Sequence, residues 1–281
     1  MFCFGIYCII VIQNNVTKYY KKNWGSRLKD ITHSTGLNFL MKISMYNNYI
    51  FDLYGTLVDI NTDEKSSKLW KKLSLFYSFN GAVYKSNELK KAYIRKVEEN
   101  IGDIHDTAYP DFPIERVFKS LYLDKSVIAD ESLIRSTAQI FRSLSIKYIR
   151  LYDGVLELLE KLKEKNKKVY LLSNAQRIFT LYEMKILGID KYFDDIYFSS
   201  DYCMCKPDSN FYNKLIKDKD IDVSKSIMIG NDPECDINGA KAVGLNTLFI
   251  KSNLSPKGIY HVNSLYEITD GNVCDVMSLC F

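Results

Sequence analysis

From Gly154 to Ile250 the chain alternates segments of helical period with short aliphatic runs, and that rhythm leaves few folds open. Helices are expected over 155–165, 175–187, 209–217 and 237–243, and strands over 168–172, 195–198, 226–229 and 246–250. The strands are largely apolar, so both faces of their sheet must be covered. Helix and strand in regular alternation define an α/β fold with a mostly parallel sheet. An earlier run, Tyr49-Ile50-Phe51, supplies one more strand and delivers Asp52 at its end.

Sheets of this kind bind ligands at the carboxyl ends of their strands, so the residues that follow each run carry the chemistry. After Phe51 comes Asp52-Leu53-Tyr54-Gly55-Thr56, where Gly55 permits a tight departure that a residue with a Cβ would resist. The second strand ends in Ser173-Asn174, the third leads into Lys206-Pro207, and the fourth ends in Gly230-Asn231-Asp232-Pro233-Glu234-Cys235-Asp236. Ser173 and the amides around it can hold an oxyanion. Lys206 is a compact cation able to neutralise charge on Asp52 and on a substrate. Asp232 and Asp236 are hard oxygen donors suited to Mg²⁺, which takes one or two carboxylates together with waters and phosphate oxygens. Singly, each group has an ordinary explanation: a turn, a loop lysine, an acidic first helical turn. Their order, each after its own strand, makes them a constellation.

Between these two parts the pattern stays helical. Leu69, Trp70, Leu73, Phe76 and Tyr77 form one stripe, with Asn61 and Glu64 spaced like an N-cap and its N3 partner. Ser86 opens a second helix bearing Leu89, Tyr93, Val97 and Ile101, and Pro113 is placed to begin a third with Ile114, Val117, Phe118 and Leu121. A fourth is expected from Glu131 to Ile146. Residues 61–149 thus read as a helical bundle inserted between 45–60 and 150–281. His105, Tyr109 and Arg116 fall in its loops or helix starts, where they read most simply as exposed residues.

Of 281 residues 47% are hydrophobic, enough for a substantial core. The formal charge of +4 is misleading, because residues 1–45 hold six cations (Lys18, Lys21, Lys22, Arg27, Lys29, Lys42) against Asp30, a net +5 that leaves −1 for everything after them. No basic face remains for nucleic acid. Residues 1–44 read as a poorly ordered extension. Their apolar start, Met1 to Ile12, is shorter than the roughly 20 residues a membrane-spanning helix needs. Seven cysteines, odd in number and unevenly spread, suggest no disulfide framework and fit a reducing cytoplasm. Cys203, Cys205 and Cys235 lack the further ligands of a zinc pattern and read as loop thiols.

The ordered set Asp52, Ser173, Lys206 and Asp232-x-x-x-Asp236 resembles the four motifs of the haloacid dehalogenase-like hydrolases, from Tyr49 to about Ile250. The resemblance implies a Rossmann-like core with an inserted helical cap. It implies Asp52 as nucleophile, Ser173 holding the transferred group and Lys206 steadying it, with Thr56 and Asn174 in supporting motif positions. It further implies Mg²⁺ bound by Asp52, the main-chain oxygen of Tyr54, Asp232 and Asp236.

Motif one departs from the phosphatase pattern Asp-x-Asp-x-Thr. Tyr54 replaces the second acid, which protonates the leaving group and later activates water. The dehalogenases proper resemble the chain here, since they carry Asp-x-Tyr-Gly-Thr and expel a halide that needs no proton. Motif four points the other way, because Asp232 and Asp236 beside Asp52 would repel one another unless a cation were bound. The leading expectation is a Mg²⁺-dependent phosphatase of a small phosphorylated metabolite acting through an aspartyl-phosphate on Asp52. A metal-independent 2-haloacid dehalogenase and a non-catalytic phosphate and metal binder are the alternatives.

Overall fold

A computed structural model describes residues 46–258 and 262–280. The readings of residues 1–44, including their apolar start, therefore lie outside the described residues. Six parallel strands form the central sheet in the order β5-β4-β1-β6-β7-β8. They are β1 (Asn48–Phe51), β4 (Lys168–Ser173), β5 (Asp195–Phe198), β6 (Ser226–Gly230), β7 (Asn246–Ile250) and β8 (Tyr266–Ile268).

Alternation along each strand sorts side chains to two faces. Tyr49, Phe51, Val169, Leu171, Ile227 and Ile229 face one core cluster, packed under helix α5 (Val155–Glu164) through Val155, Leu158, Leu159 and Leu162. Ile50, Tyr170, Leu172 and Met228 face the other, covered by Phe211, Tyr212 and Leu215 of α8 (Ser209–Asp218). Both faces are therefore dry, as the apolar strands require. Chain order reverses between β1 and β6, so the crevice at their carboxyl ends is the topological switch point, where ligands bind in sheets of this type.

Four helices lie between β1 and β4: α1 (Ser67–Phe79), α2 (Ser86–Gly102), α3 (Glu115–Leu123) and α4 (Glu131–Ser145). Their apolar stripes meet in a separate core that includes Trp70, Tyr93, Phe118 and Phe141. Pro113 stands two residues before α3, and its carbonyl accepts from Arg116 N. Asn61 and Glu64 do not cap α1. Asn61 lies in strand β2 (Val58–Thr62), and the helix opens only at Ser67.

β2 belongs to a feature absent from the sequence reading, a two-stranded antiparallel ribbon with β3 (Ile146–Leu151) that joins the helices to the sheet. The fourth helix therefore stops at Ser145. Ile146 ends the helix and begins the strand with no glycine or proline between them, so no breaker marks the change. Asp59, buried in the ribbon, accepts from Arg150 (Nε 3.0 Å, Nη2 2.8 Å), Tyr148 (3.2 Å) and Asn253 (2.9 Å). Burial pushes its carboxyl up, but those donors outweigh the effect and hold it below the usual range. The tail beyond Ser255, ambiguous in the sequence, supplies β8 and a last helix α10 (Val273–Cys280).

A second contact between the helices and the sheet comes from the loop before α3. Cys205 N donates to Tyr109 O at 2.9 Å and Asp111 N to Cys203 O at 3.3 Å, which straps the loop to the segment carrying Lys206. Gln176, at the start of α6 (Arg177–Ile186), clasps the same loop, accepting from Ile114 N at 2.7 Å and donating to Phe112 O at 2.9 Å and to Asp111 Oδ1 at 3.3 Å.

Asp111 is 1% exposed, and burial pushes its carboxyl up to about 8 against the hydrogen bonds that favour its ionised form. The folded protein thus keeps a proton that the unfolded chain releases near pH 4. The stabilisation is complete below about pH 4 and is lost as pH rises towards 8. Asp111→Asn is expected to match the natural protein in thermal stability at pH 4 and to exceed it at pH 8. Equal pH slopes for the two proteins would contradict this assignment.

Candidate active site

Asp52 is the first residue beyond β1, and its neighbours come from each of the strand ends singled out in the sequence. Lys206 Nζ donates to Asp52 Oδ1 at 2.8 Å, Ser173 Oγ lies 3.4 Å from the same oxygen, and Thr56 Oγ1 lies 3.3 Å from Oδ2. The Gly55 turn sets Thr56 in place. Gly55 has φ +88°, and a Cβ there would overlap the carboxamide of Asn231, which sits 3.3 Å from Thr56 Oγ1.

Lys206 is 1% exposed, and its ammonium also donates to Asp236 Oδ1 at 2.7 Å. Burial alone would lower its pKa. Asp236 and Asp52 more than reverse that, so the side chain is held as a cation. Asp236 is buried too, and burial raises its carboxyl to about 7, with Asp52 and Asp232 adding to the rise and Lys206 opposing it.

A π-helical turn, Pro233–Asn238, explains how two acids four residues apart share this site. Such wide turns recur at functional sites. Asp232 caps the turn, with Oδ1 accepting from Glu234 N at 2.9 Å and Cys235 N at 2.8 Å. Asp236 folds back beneath it, and its Oδ2 accepts from Asp232 N at 2.9 Å. Gly230 makes the room, since a Cβ on it would collide with the Asp236 carboxylate.

Both Asp236 oxygens are thus engaged, by Lys206 and by the Asp232 amide, which sets this residue behind the site. Among the described residues no three His, Cys, Asp or Glu side chains converge as a metal cluster. Two carboxylates, Asp52 and Asp232, remain as anionic donors to a cation. That number suits Mg²⁺, which completes its shell with carbonyl oxygen, water and phosphate. Charge supports the fit, because Asp52 and Asp236 share one ammonium, that of Lys206, while Asp232 acts on Asp236 as a further negative neighbour, which leaves a negative surplus.

Asn174 turns to the backbone of Lys206, with Nδ2 donating to Lys206 O at 2.9 Å and Oδ1 accepting from Lys206 N at 2.7 Å. Its carboxamide fixes the lysine loop. The cysteines Cys203, Cys205, Cys235 and Cys274 are free thiols. His105 is exposed, and Arg116 reaches Cys203 Sγ at 3.7 Å. Tyr109 lines a cleft of about 390 Å³ with Pro207, Asp208, Glu234 and Asn238.

Tyr54 departs most from what its motif position suggests. Its ring is buried, and its hydroxyl enters a network with α6, donating to Glu183 Oε2 and lying 3.0 Å from Thr180 Oγ1. Glu183 is in turn gripped by Arg142 of α4, through Nε and through Nη2 at 3.2 Å. All four side chains are at most 6% exposed. The sequence reading missed Arg142, Thr180, Glu183, Gln176 and Asn231. The only available signal was polar residues inside apolar helical stripes, such as Arg142 beside Phe141 and Glu183 beside Met184.

Residues 49–250 match the family model described as haloacid dehalogenase-like hydrolase. The chain belongs to that family. Among its relatives, the glyceraldehyde 3-phosphate phosphatase of Methanothermobacter thermautotrophicus is 22% identical over 78% of this chain and 91% of its own length. The pyrimidine 5'-nucleotidase PynA of Streptococcus pneumoniae is 24% identical over 80% of this chain and 94% of its own. A solved 2-haloacid dehalogenase from Pseudomonas syringae shares the fold, with a TM-score of 0.59 at 19% identity over 83% of this chain and 97% of its own. Among the described residues no helix is long and apolar enough to cross a membrane.

Proposed function

We propose that the chain is a Mg²⁺-dependent phosphatase of a small phosphorylated metabolite, with Asp52 as the nucleophile. The observation that carries this reading is the surplus of carboxylate around Lys206, which a haloacid substrate would aggravate and a metal-bound phosphate would resolve. Relatives named for phosphorylated small molecules, the glyceraldehyde 3-phosphate phosphatase and the pyrimidine 5'-nucleotidase among them, support it. A cytoplasmic setting fits the free thiols.

Asp52 Oδ2, opposite the oxygen held by Lys206, is the atom placed to attack phosphorus. Lys206 offsets negative charge on Asp52 and on the transferred group, while Ser173 and Thr56 hold orientation from either side. Asp236 acts through Lys206 and the Asp232 amide. Mg²⁺, held by Asp52, Asp232 and the Tyr54 main-chain oxygen, would neutralise charge on the phosphoryl oxygens.

Purified protein is expected to release phosphate from acetyl phosphate or 4-nitrophenyl phosphate with Mg²⁺, and to fall to background in EDTA. Asp52→Asn is expected to lower the rate by about 10³-fold or more. Halide release from 2-chloropropionate that persists in EDTA, with no phosphate release, would replace this reading with a dehalogenase. Binding of Mg²⁺ and phosphate without turnover would leave a binding protein.

A further inference from the structure

We propose that this active site works without a proton donor for the leaving group, so that its substrates are phosphates whose leaving group departs as a stable anion: acyl phosphates or phosphoanhydrides. The inference rests on the phosphatase reading and narrows its substrate class.

The side chain in the donor's position is Tyr54, and its proton is committed to Glu183. Returning it to Asp52 would strip a donor from the buried Glu183 carboxylate and leave Arg142 to hold that charge alone. A buried carboxylate that loses a donor is left with its desolvation uncompensated.

No substitute is in place among the described residues. The side chains hydrogen-bonded to Asp52 are Lys206, Ser173 and Thr56, none of them a carboxylic acid or imidazole. Lys206 already donates to two carboxylates, Asp52 and Asp236. The Asp236 oxygens are both engaged, Asp232 Oδ1 caps the π turn, and His105 is exposed in a loop of the helical insertion.

In the first step an Asp52 oxygen bonds to phosphorus as the bond from phosphorus to the leaving oxygen breaks. The leaving group takes the electron pair and departs as carboxylate or phosphate, with no proton delivered. In the second, the oxygen of water bonds to phosphorus and the Asp52 oxygen leaves with its electron pair. One water proton stays on the released phosphate and the other passes to solvent. Without a positioned base this second step is the slower one.

The test is a leaving-group series on the full chain with Mg²⁺: acetyl phosphate, 4-nitrophenyl phosphate, phenyl phosphate and glycerol phosphate. A general acid is worth about 10²–10⁴ in rate, and its absence is felt most by the basic alkoxide. The kcat/KM is therefore expected to fall at least about 10²-fold from acetyl to glycerol phosphate. Tyr54→Phe is expected to scale every member by one common factor, and Tyr54→Asp to raise glycerol phosphate relative to acetyl phosphate. Glycerol phosphate turned over within tenfold of acetyl phosphate would overturn the inference while leaving the phosphatase reading intact, as would a Tyr54→Phe loss confined to the alkyl substrate. No phosphate from any member would overturn the phosphatase reading itself, and this inference with it.

Discussion

Lys206→Met is expected to abolish phosphate release and to destabilise the fold by about 3–5 kcal/mol, the usual consequence of removing one partner from a buried ion pair. The ammonium is fully buried, within 2.8 Å of Asp52 Oδ1 and 2.7 Å of Asp236 Oδ1, and Met replaces its stem but not its charge. The two carboxylates would then face each other across an apolar side chain. Because Asp236 acts through the lysine, the double variant Lys206→Met with Asp236→Asn is expected to recover much of the lost stability while remaining inactive. Urea unfolding and phosphate release on the three proteins test this. A stable Lys206→Met protein that still turns over would remove Lys206 from the site.

The second large effect is expected at the junction of the helical insertion and the sheet. Arg142→Ala leaves Glu183 buried with only Tyr54 and Thr180 as polar company, and a cost of about 3–5 kcal/mol follows from the uncompensated charge. The aliphatic and guanidinium contact with Phe179, 5.3 Å from the ring, is lost too. Adding Glu183→Gln removes the stranded charge and keeps an acceptor for the Tyr54 hydroxyl, so the double variant is expected to be more stable than Arg142→Ala alone. A strictly additive pair of losses would show that Arg142 and Glu183 do not act as a unit.

The sheet was legible because fully buried parallel strands are short apolar runs separated by amphipathic helices. The expected bounds of 195–198 and 246–250 coincide with β5 and β7. Asp52, Thr56, Ser173, Lys206 and the two acids of the fourth motif could be placed together because they lie at or beyond the ends of four strands, β1, β4, β5 and β6, and the fold brings those strand ends to one edge. The β2–β3 ribbon was hidden by a helix that passes into a strand at Ile146 without a breaker.

The partners of Tyr54 were hidden for a different reason. Glu183 lies 129 residues away and meets it only after α6 packs against the nucleophile turn, so no local pattern records the pairing. How Asn174 supports the site was hidden similarly, since its carboxamide is spent on both backbone groups of Lys206, a residue 32 positions on. Asp232 and Asp236 stand four apart in the sequence, and only the π turn separates the acid that caps it from the one that holds the lysine.

The central claim is that Asp52 accepts a phosphoryl group. The most direct test is to mix the protein with Mg²⁺ and acetyl phosphate, quench in acid within the first turnovers, and map the peptides by mass. One phosphoryl group is expected on the peptide containing Asp52, removed by hydroxylamine and absent from Asp52→Asn. An unmodified Asp52 peptide under conditions of turnover, or an ester of this residue formed only from a 2-haloacid, would contradict it.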